Sequence, residues 1–308
     1  MSHFVSLKYF SSKEISEMLD LAAQMKKNPR ISKNLLEGKS IGLLFEKASL
    51  RTKTAFYIGA QQLGAKVIYY SPQEVKLGQR EEVADVARTL SVYLDAVVVR
   101  TFSHSNILKF SEISSIPVIN ALSDLLHPSQ ALADVLTIQE LKGSLKKLKV
   151  AYIGDGNNVC NSLIYAFSIL GGNLHLAIPK GYQPYQSILD EVGSYHRVSG
   201  AKINLADSVS QAAKDADVLY TDVWTSMGKE QEKGERKKAF KNFRIDDKIL
   251  KVAKADAIVM HCLPAHRGEE ITSSVIDGEN SVVFQQAENR LHTAKAILAY
   301  NLRRKKNE

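Results

Sequence analysis

Two cysteines in 308 residues are too few for a disulfide framework, and Cys160 and Cys262 lack the paired spacing of a thiolate metal site. A reducing cytoplasm is the setting this scarcity predicts. No stretch approaches the roughly 18 to 20 apolar residues of a membrane span, and Met1 to Leu21 shows neither an uninterrupted apolar stretch nor a small-residue cleavage pattern. No membrane partner and no secretion are therefore expected. Proline (7) and glycine (17) are unremarkable and no low-complexity tract or internal repeat occurs, which excludes disordered and fibrous classes. Basic segments interleaved with aromatics are also missing, so the formal charge of +8, from 41 basic and 33 acidic side chains, makes no case for nucleic acid. Much of the excess lies in Lys229–Lys241, read as a solvated stretch, and in Arg303–Lys306, at the end of a helical pattern where cations complement the helix dipole.

What is present, 44% hydrophobic and 24% charged residues, suffices for a substantial core. Short β-branched-rich runs alternate with segments of helical period along almost the whole chain, which predicts an α/β fold of parallel sheets with crossover helices. Strands are expected near 41–45, 66–70, 96–100, 117–120, 149–153, 174–178, 218–222, 257–261 and 282–284. Helices are expected near 52–63, 81–93, 107–113, 129–141, 159–170 and 188–196. The polar break Lys142–Lys147 separates two doubly wound domains, 1–143 and 144–286, with a C-terminal helix over 287–304 packing back onto the first. Ligands of such sheets bind beyond the carboxyl ends of strands, which directs attention to the residues just after them.

Ser49, Leu50, Arg51 and Thr52 lie between a strand and a helix start, where free N–H groups, two hydroxyls and a guanidinium suit an anion. A capping Ser49 with a surface ion pair for Arg51 is the bland alternative. Arg100 closes a valine-rich strand on the same rim, and two arginines there suggest a dianion. His127 and Gln130 open the next helix and suit a carbonyl oxygen, unless His127 merely packs. Gly154-Asp155-Gly156-Asn157-Asn158 tempts a dinucleotide reading, but Val159 replaces the third glycine and Pro179-Lys180 follows the next strand without an acid. Asn158 is read instead as a polar ligand at a strand end. Asp222, ahead of Ser226-Met227-Gly228, suits an ammonium group, or else caps a helix. Cys262 ends another strand, where its thiol either touches substrate or lies buried and inert. His261 and His266 are not spaced as helical zinc ligands and no third ligand is evident, so no metal is assigned.

Ser49-Leu50-Arg51-Thr52, His127-Pro128-Ser129-Gln130, Asp222 with Ser226-Met227-Gly228, and His261-Cys262-Leu263-Pro264-Ala265 together resemble the signature set of the aspartate/ornithine carbamoyltransferase family, most closely its ornithine branch. The likeness runs in order over nearly the whole chain, through Ala287 to His292. It implies a first domain binding carbamoyl phosphate through Ser49, Leu50, Arg51, Thr52, Lys76, Arg100, His127, Gln130, Cys262, Leu263 and Arg290. It implies a second binding L-ornithine through Asn158, Asp222, Ser226 and Met227, with Cys262, His127, Arg100 and Asp222 acting in catalysis. Citrulline and phosphate would be the products, in arginine metabolism, without metal or organic cofactor, from a homotrimer or an assembly of trimers. Leu50 departs from the family's usual threonine, and Lys76 from a glutamine that reaches a neighbouring subunit's site. Competing expectations are a carbamoyltransferase for putrescine or an acylated ornithine, and a non-catalytic basic binding protein.

Overall fold

Ala96–Val99 are fully buried, as are Ile41, Leu43, Leu44 and Phe45, which is what parallel strands covered by helices on both faces require. A computed structural model describes residues 3–226 and 228–303. The chain divides into two units, one comprising the residues up to Ala133 and those from Glu288 onward, the other Asp134–Ala287.

The first unit runs α1 (Ser12–Lys27), β1 (Ser40–Phe45), α2 (Arg51–Gln62), β2 (Lys66–Tyr70), α3 (Val83–Tyr93), β3 (Ala96–Arg100), α4 (His104–Ile113) and β4 (Val118–Leu122), and ends within α5 (Pro128–Lys142). Its four strands are parallel, in the order β2-β1-β3-β4. The second unit continues with β5 (Lys149–Ile153), α6 (Asn158–Leu170), β6 (Asn173–Ala177), α7 (Gln186–Ser199), β7 (Lys202–Leu205), α8 (Val209–Ala213), β8 (Val218–Thr221), α9 (Lys233–Ala239), α10 (Asp247–Val252), β9 (Ile258–His261) and α11 (Ser273–Ile276). Its five strands are also parallel, ordered β7-β6-β5-β8-β9. The last helix, α12 (Val283–Arg303), returns from Glu288 to the first unit, where the Tyr300 ring meets Phe10 at 6.3 Å and Lys26 Nζ donates to Asn289 Oδ1 at 2.8 Å.

The α/β class, the parallel sheets and the returning helix are as the sequence predicts, with one strand wrong. Val282–Phe284 is not a strand: Ser281 makes a single bridge to Val259, the Val282 N–H donates to Val259 O at 3.0 Å, and Gln286 N–H then bonds back to Val282 O to open α12. An apolar triplet serves a helix start as well as a strand. Sequence patterning also passes over β7, an edge strand whose Lys-Ile-Asn-Leu is largely exposed and so lacks a buried-strand signature.

Candidate active site

In the first sheet the winding direction reverses between β1 and β3, so their carboxyl ends flank a crevice, and the register sets Phe45 beside Arg100. The chain leaving β1 enters α2 at Leu50, and no side chain caps that first turn; Lys53 N–H reaches Ser49 Oγ only at 3.4 Å. The turn thus presents donors and the positive end of the helix dipole. Thr52 is buried and its Oγ1 accepts from Arg290 Nη2, which also donates to His127 Nε2 at 3.5 Å. That contact leaves the imidazole proton on Nδ1, 3.4 Å from the Ser129 hydroxyl.

Burial lowers Arg100 to about 10, aided by repulsion from Arg290 and Arg51. Burial, then the charges of Arg290 and Arg100, push His127 well below its ordinary 6.5, so the ring is neutral at pH 7. Cations held against one another in this way are an arrangement that a dianion would relieve. Gln130 is fully buried in α5, one turn after His127. Lys76 stands apart: it is exposed in the loop between β2 and α3, and its side chain makes no hydrogen bond or ion pair to these residues among those described.

In the second sheet the reversal falls between β5 and β8, and the same rule directs attention to Gly154–Asn158 and Asp222. Gly156 is obligatory, since a Cβ there would lie 2.4 to 2.5 Å from the backbone of Tyr182, Gln183 and Pro184. Asn157 caps α6, its Oδ1 accepting from Val159 N–H (2.9 Å) and Cys160 N–H (3.1 Å), while its Nδ2 donates to Asp222 Oδ2 at 2.7 Å. The other Asp222 oxygen accepts from Val223 N–H at 2.8 Å and from Cys262 Sγ at 2.9 Å. Asp222 therefore caps no helix; it is a buried carboxylate oriented by an amide, a backbone N–H and a thiol. Asn158 is half-buried at the first turn of α6, and Ser226 is half-buried four residues before the short helical turn Glu230–Glu232, its carbonyl accepting from Lys229 N–H at 3.0 Å. Met227 lies outside the described residues.

The Lys229–Lys241 run is not wholly solvated. Arg236 is buried, with Nη1 donating to Asp155 Oδ2 and to Trp224 O, both at 2.9 Å, and Nε to Glu232 Oε2 at 2.7 Å. Its guanidinium also lies 4.9 Å from the Tyr182 ring centroid. Burial raises Asp155 to about 6 even though Arg236 pulls it down. Only the Glu232–Arg236 spacing, i to i+4, hints at this in the sequence.

Leu263 adopts a left-handed backbone (φ 56°), and its N–H donates to His261 Nδ1 at 2.9 Å, so Nε2 carries the proton that His261 gives to Glu270 Oε1 at 3.0 Å. Donor atoms of Asp222, His261 and Cys262 do lie within 4.8 Å of one another, as do those of His266, Glu269 and Glu270, so a third donor exists that sequence spacing does not reveal. Both nitrogens of His261 and the Cys262 thiol are committed to the hydrogen bonds just described. Asp155, Asn157, Arg236 and Glu270 are the site members that sequence reasoning does not single out; for Asn157 the signal is its N-cap position.

The model of the aspartate/ornithine carbamoyltransferase carbamoyl-P binding domain matches residues 2–140, and that of the Asp/Orn binding domain matches residues 146–301. The chain belongs to the aspartate/ornithine carbamoyltransferase family. Among its relatives in the family, it is 47% identical over 286 residues to the catabolic ornithine carbamoyltransferase of Thermoplasma acidophilum, covering 93% of this chain and 94% of that one. It is 45% identical over 307 residues to the ornithine carbamoyltransferase of Methanocaldococcus jannaschii, covering 98% and 100%. Solved structures of the family superpose closely: the Pyrococcus furiosus ornithine carbamoyltransferase at a TM-score of 0.94 with 44% identity (97% and 96% covered), and the anabolic Campylobacter jejuni enzyme at 0.94 with 40% (99% and 100%).

Proposed function

We propose that this carbamoyltransferase moves the carbamoyl group of carbamoyl phosphate to the side-chain amine of L-ornithine, giving citrulline and phosphate. The observation that carries the choice of acceptor is the buried Asp222–Cys262 pair at the ends of β8 and β9. A fixed carboxylate attracts a cationic amino acid and repels a dicarboxylate such as aspartate.

In this reading the uncapped turn of α2 with Ser49, Leu50 N–H, Arg51, Thr52 and Arg100 holds the phosphate. His127, Gln130, Arg290 and the Cys262-Leu263 backbone hold the carbamoyl group. Asn158, Asp222, Ser226 and Met227 hold the amino-acid end of ornithine. The side-chain amine, with a lysine-like pKa near 10.4 in water, must shed a proton before attack, and Asp222 with Cys262 orients it and assists that loss. As the amine adds to the carbonyl carbon, negative charge grows on oxygen and is met by Thr52, Arg100 and the neutral His127. Collapse breaks the C–O bond to phosphate, which leaves as an anion onto Arg51 and Arg100 and can take the proton with it. Lys76 is proposed as a further phosphate contact, acting as a point charge.

The test is phosphate and ureido-product formation by the purified protein from carbamoyl phosphate with L-ornithine, putrescine, N-acetyl-L-ornithine or L-aspartate, with Arg51→Ala as the contamination control. Product from ornithine alone supports the reading; product only from another amine reassigns the acceptor, and no product from any amine overturns it. The resemblance further supports a cytoplasmic homotrimer serving arginine metabolism, and a mass by light scattering other than that of three chains or a multiple would overturn the assembly.

A further inference from the structure

Glu46 is the first residue beyond β1 and stands at the mouth of the cationic crevice, where its charge opposes an anionic ligand. A carboxylate in that place calls for a geometric reason, and its contacts supply one. Oε1 accepts from Leu77 N–H at 2.7 Å and Oε2 from the hydroxyl of the buried Thr101, while the Glu46 N–H donates to Arg100 O at 2.8 Å. One side chain thus joins three segments: the chain entering the α2 turn, the end of β3 that carries Arg100, and the loop after β2.

The next residues along both strands repeat the link, with Lys47 Nζ 4.1 Å from the Phe102 ring centroid. The loop itself is closed by local bonds, Gly78 N–H to Glu81 O at 2.9 Å and Gln79 and Arg80 N–H to Lys76 O at 3.1 Å, and Leu77 is buried in the core beside Leu44 and Val83. The Leu77 N–H is the point at which that closed loop is gripped by the rim.

We propose that Glu46 is a positioning residue for carbamoyl phosphate, using both carboxylate oxygens to hold the Leu77 loop and the Thr101 segment so that Arg100 and the α2 turn converge on one anion. This rests on the substrate reading above. Glu46→Gln keeps an oxygen for Leu77 N–H and an N–H for the Thr101 hydroxyl; Glu46→Ala loses both links, and Thr101→Val loses one.

The experiment measures KM for carbamoyl phosphate and for L-ornithine, kcat, thermal midpoint, and inorganic phosphate affinity by calorimetry, in the full chain and the three variants. Expected is a rise of roughly tenfold or more in KM for carbamoyl phosphate in Glu46→Ala, with KM for ornithine within about twofold, a smaller rise in Thr101→Val, and near-normal values in Glu46→Gln. Unchanged phosphate affinity in a folded Glu46→Ala, or an equal loss in Glu46→Gln, would overturn the proposal. If the wild-type chain turns over no carbamoyl phosphate, the substrate reading fails, and phosphate affinity alone still decides the role of Glu46.

Discussion

At the ends of β1 and β3 the side chains gathered are Arg51, Arg100, Arg290 and a neutral His127, whereas at the ends of β5, β8 and β9 they are Asn157, Asp222 and the Cys262 thiol. Both crevices follow from one topological rule, the reversal of strand order, yet their charge is opposite. Backbone winding decides where a ligand binds; the few residues after each strand decide its sign. Breaking either set should therefore cost one substrate and spare the other.

The largest effect is expected at the cationic crevice. Arg51→Ala should lower kcat/KM for carbamoyl phosphate by roughly a hundredfold or more, as loss of a charge-assisted anion contact does, measured by phosphate release. Asp222→Asn comes next: it keeps the shape and removes the charge, so ornithine KM should rise by roughly tenfold or more while carbamoyl phosphate KM holds. Equal losses for both substrates would erase the distinction between the crevices.

The two crevices also differ in how much of each the sequence shows. Ser49–Thr52, Arg100, His127, Asp222 and Cys262 are legible because each ends or follows an apolar strand, and buried strands of four to six residues announce their own ends. Arg236 is not, because nothing in a run of lysines and glutamates marks which cation turns inward; its carboxylate partner Asp155 lies 81 residues away. The helix α1 lies outside the strand–helix alternation of the sequence although Ser11 and Glu14 form a reciprocal capping box, because it follows no strand. Glu270 escapes the sequence because it acts on the Leu263 backbone only through His261.

Arg236→Met sharpens the comparison through stability. It leaves Asp155 buried without its cation, so unfolding free energy should fall by about 3 kcal/mol in denaturant titration, with a rise in ornithine KM from the freed Trp224 carbonyl.

Acid should separate the crevices more gently. His127 is depressed below its ordinary value, so the unfolded chain binds its proton first and the stability this residue contributes falls as pH drops below about 6.5. Asp155 is raised to about 6, so the folded chain binds its proton first and its contribution falls as pH rises from about 4 toward 6. Relative to wild type, His127→Gln should gain stability as pH falls, by at most about 1.4 kcal/mol per pH unit, and Asp155→Asn should gain as pH rises through that window. Parallel slopes for the two variants would contradict these assignments. Smallest of all, Leu50→Thr should change carbamoyl phosphate KM by no more than about threefold, because the side chain is exposed and the backbone N–H remains.

The division of the chain at Ala133 and Glu288 has a consequence for how the protein is made. The second unit is one continuous segment, while the first is interrupted by it and gains α12 only after it. On a ribosome the Asp222–Cys262 crevice is complete in sequence before Arg290 has been synthesised, so the cationic crevice waits for α12. A chain stopped after Ala287 should keep the Asp222–Cys262 arrangement and lose the Arg290 corner, which makes α12 the checkpoint before the nascent chain completes its cationic cluster.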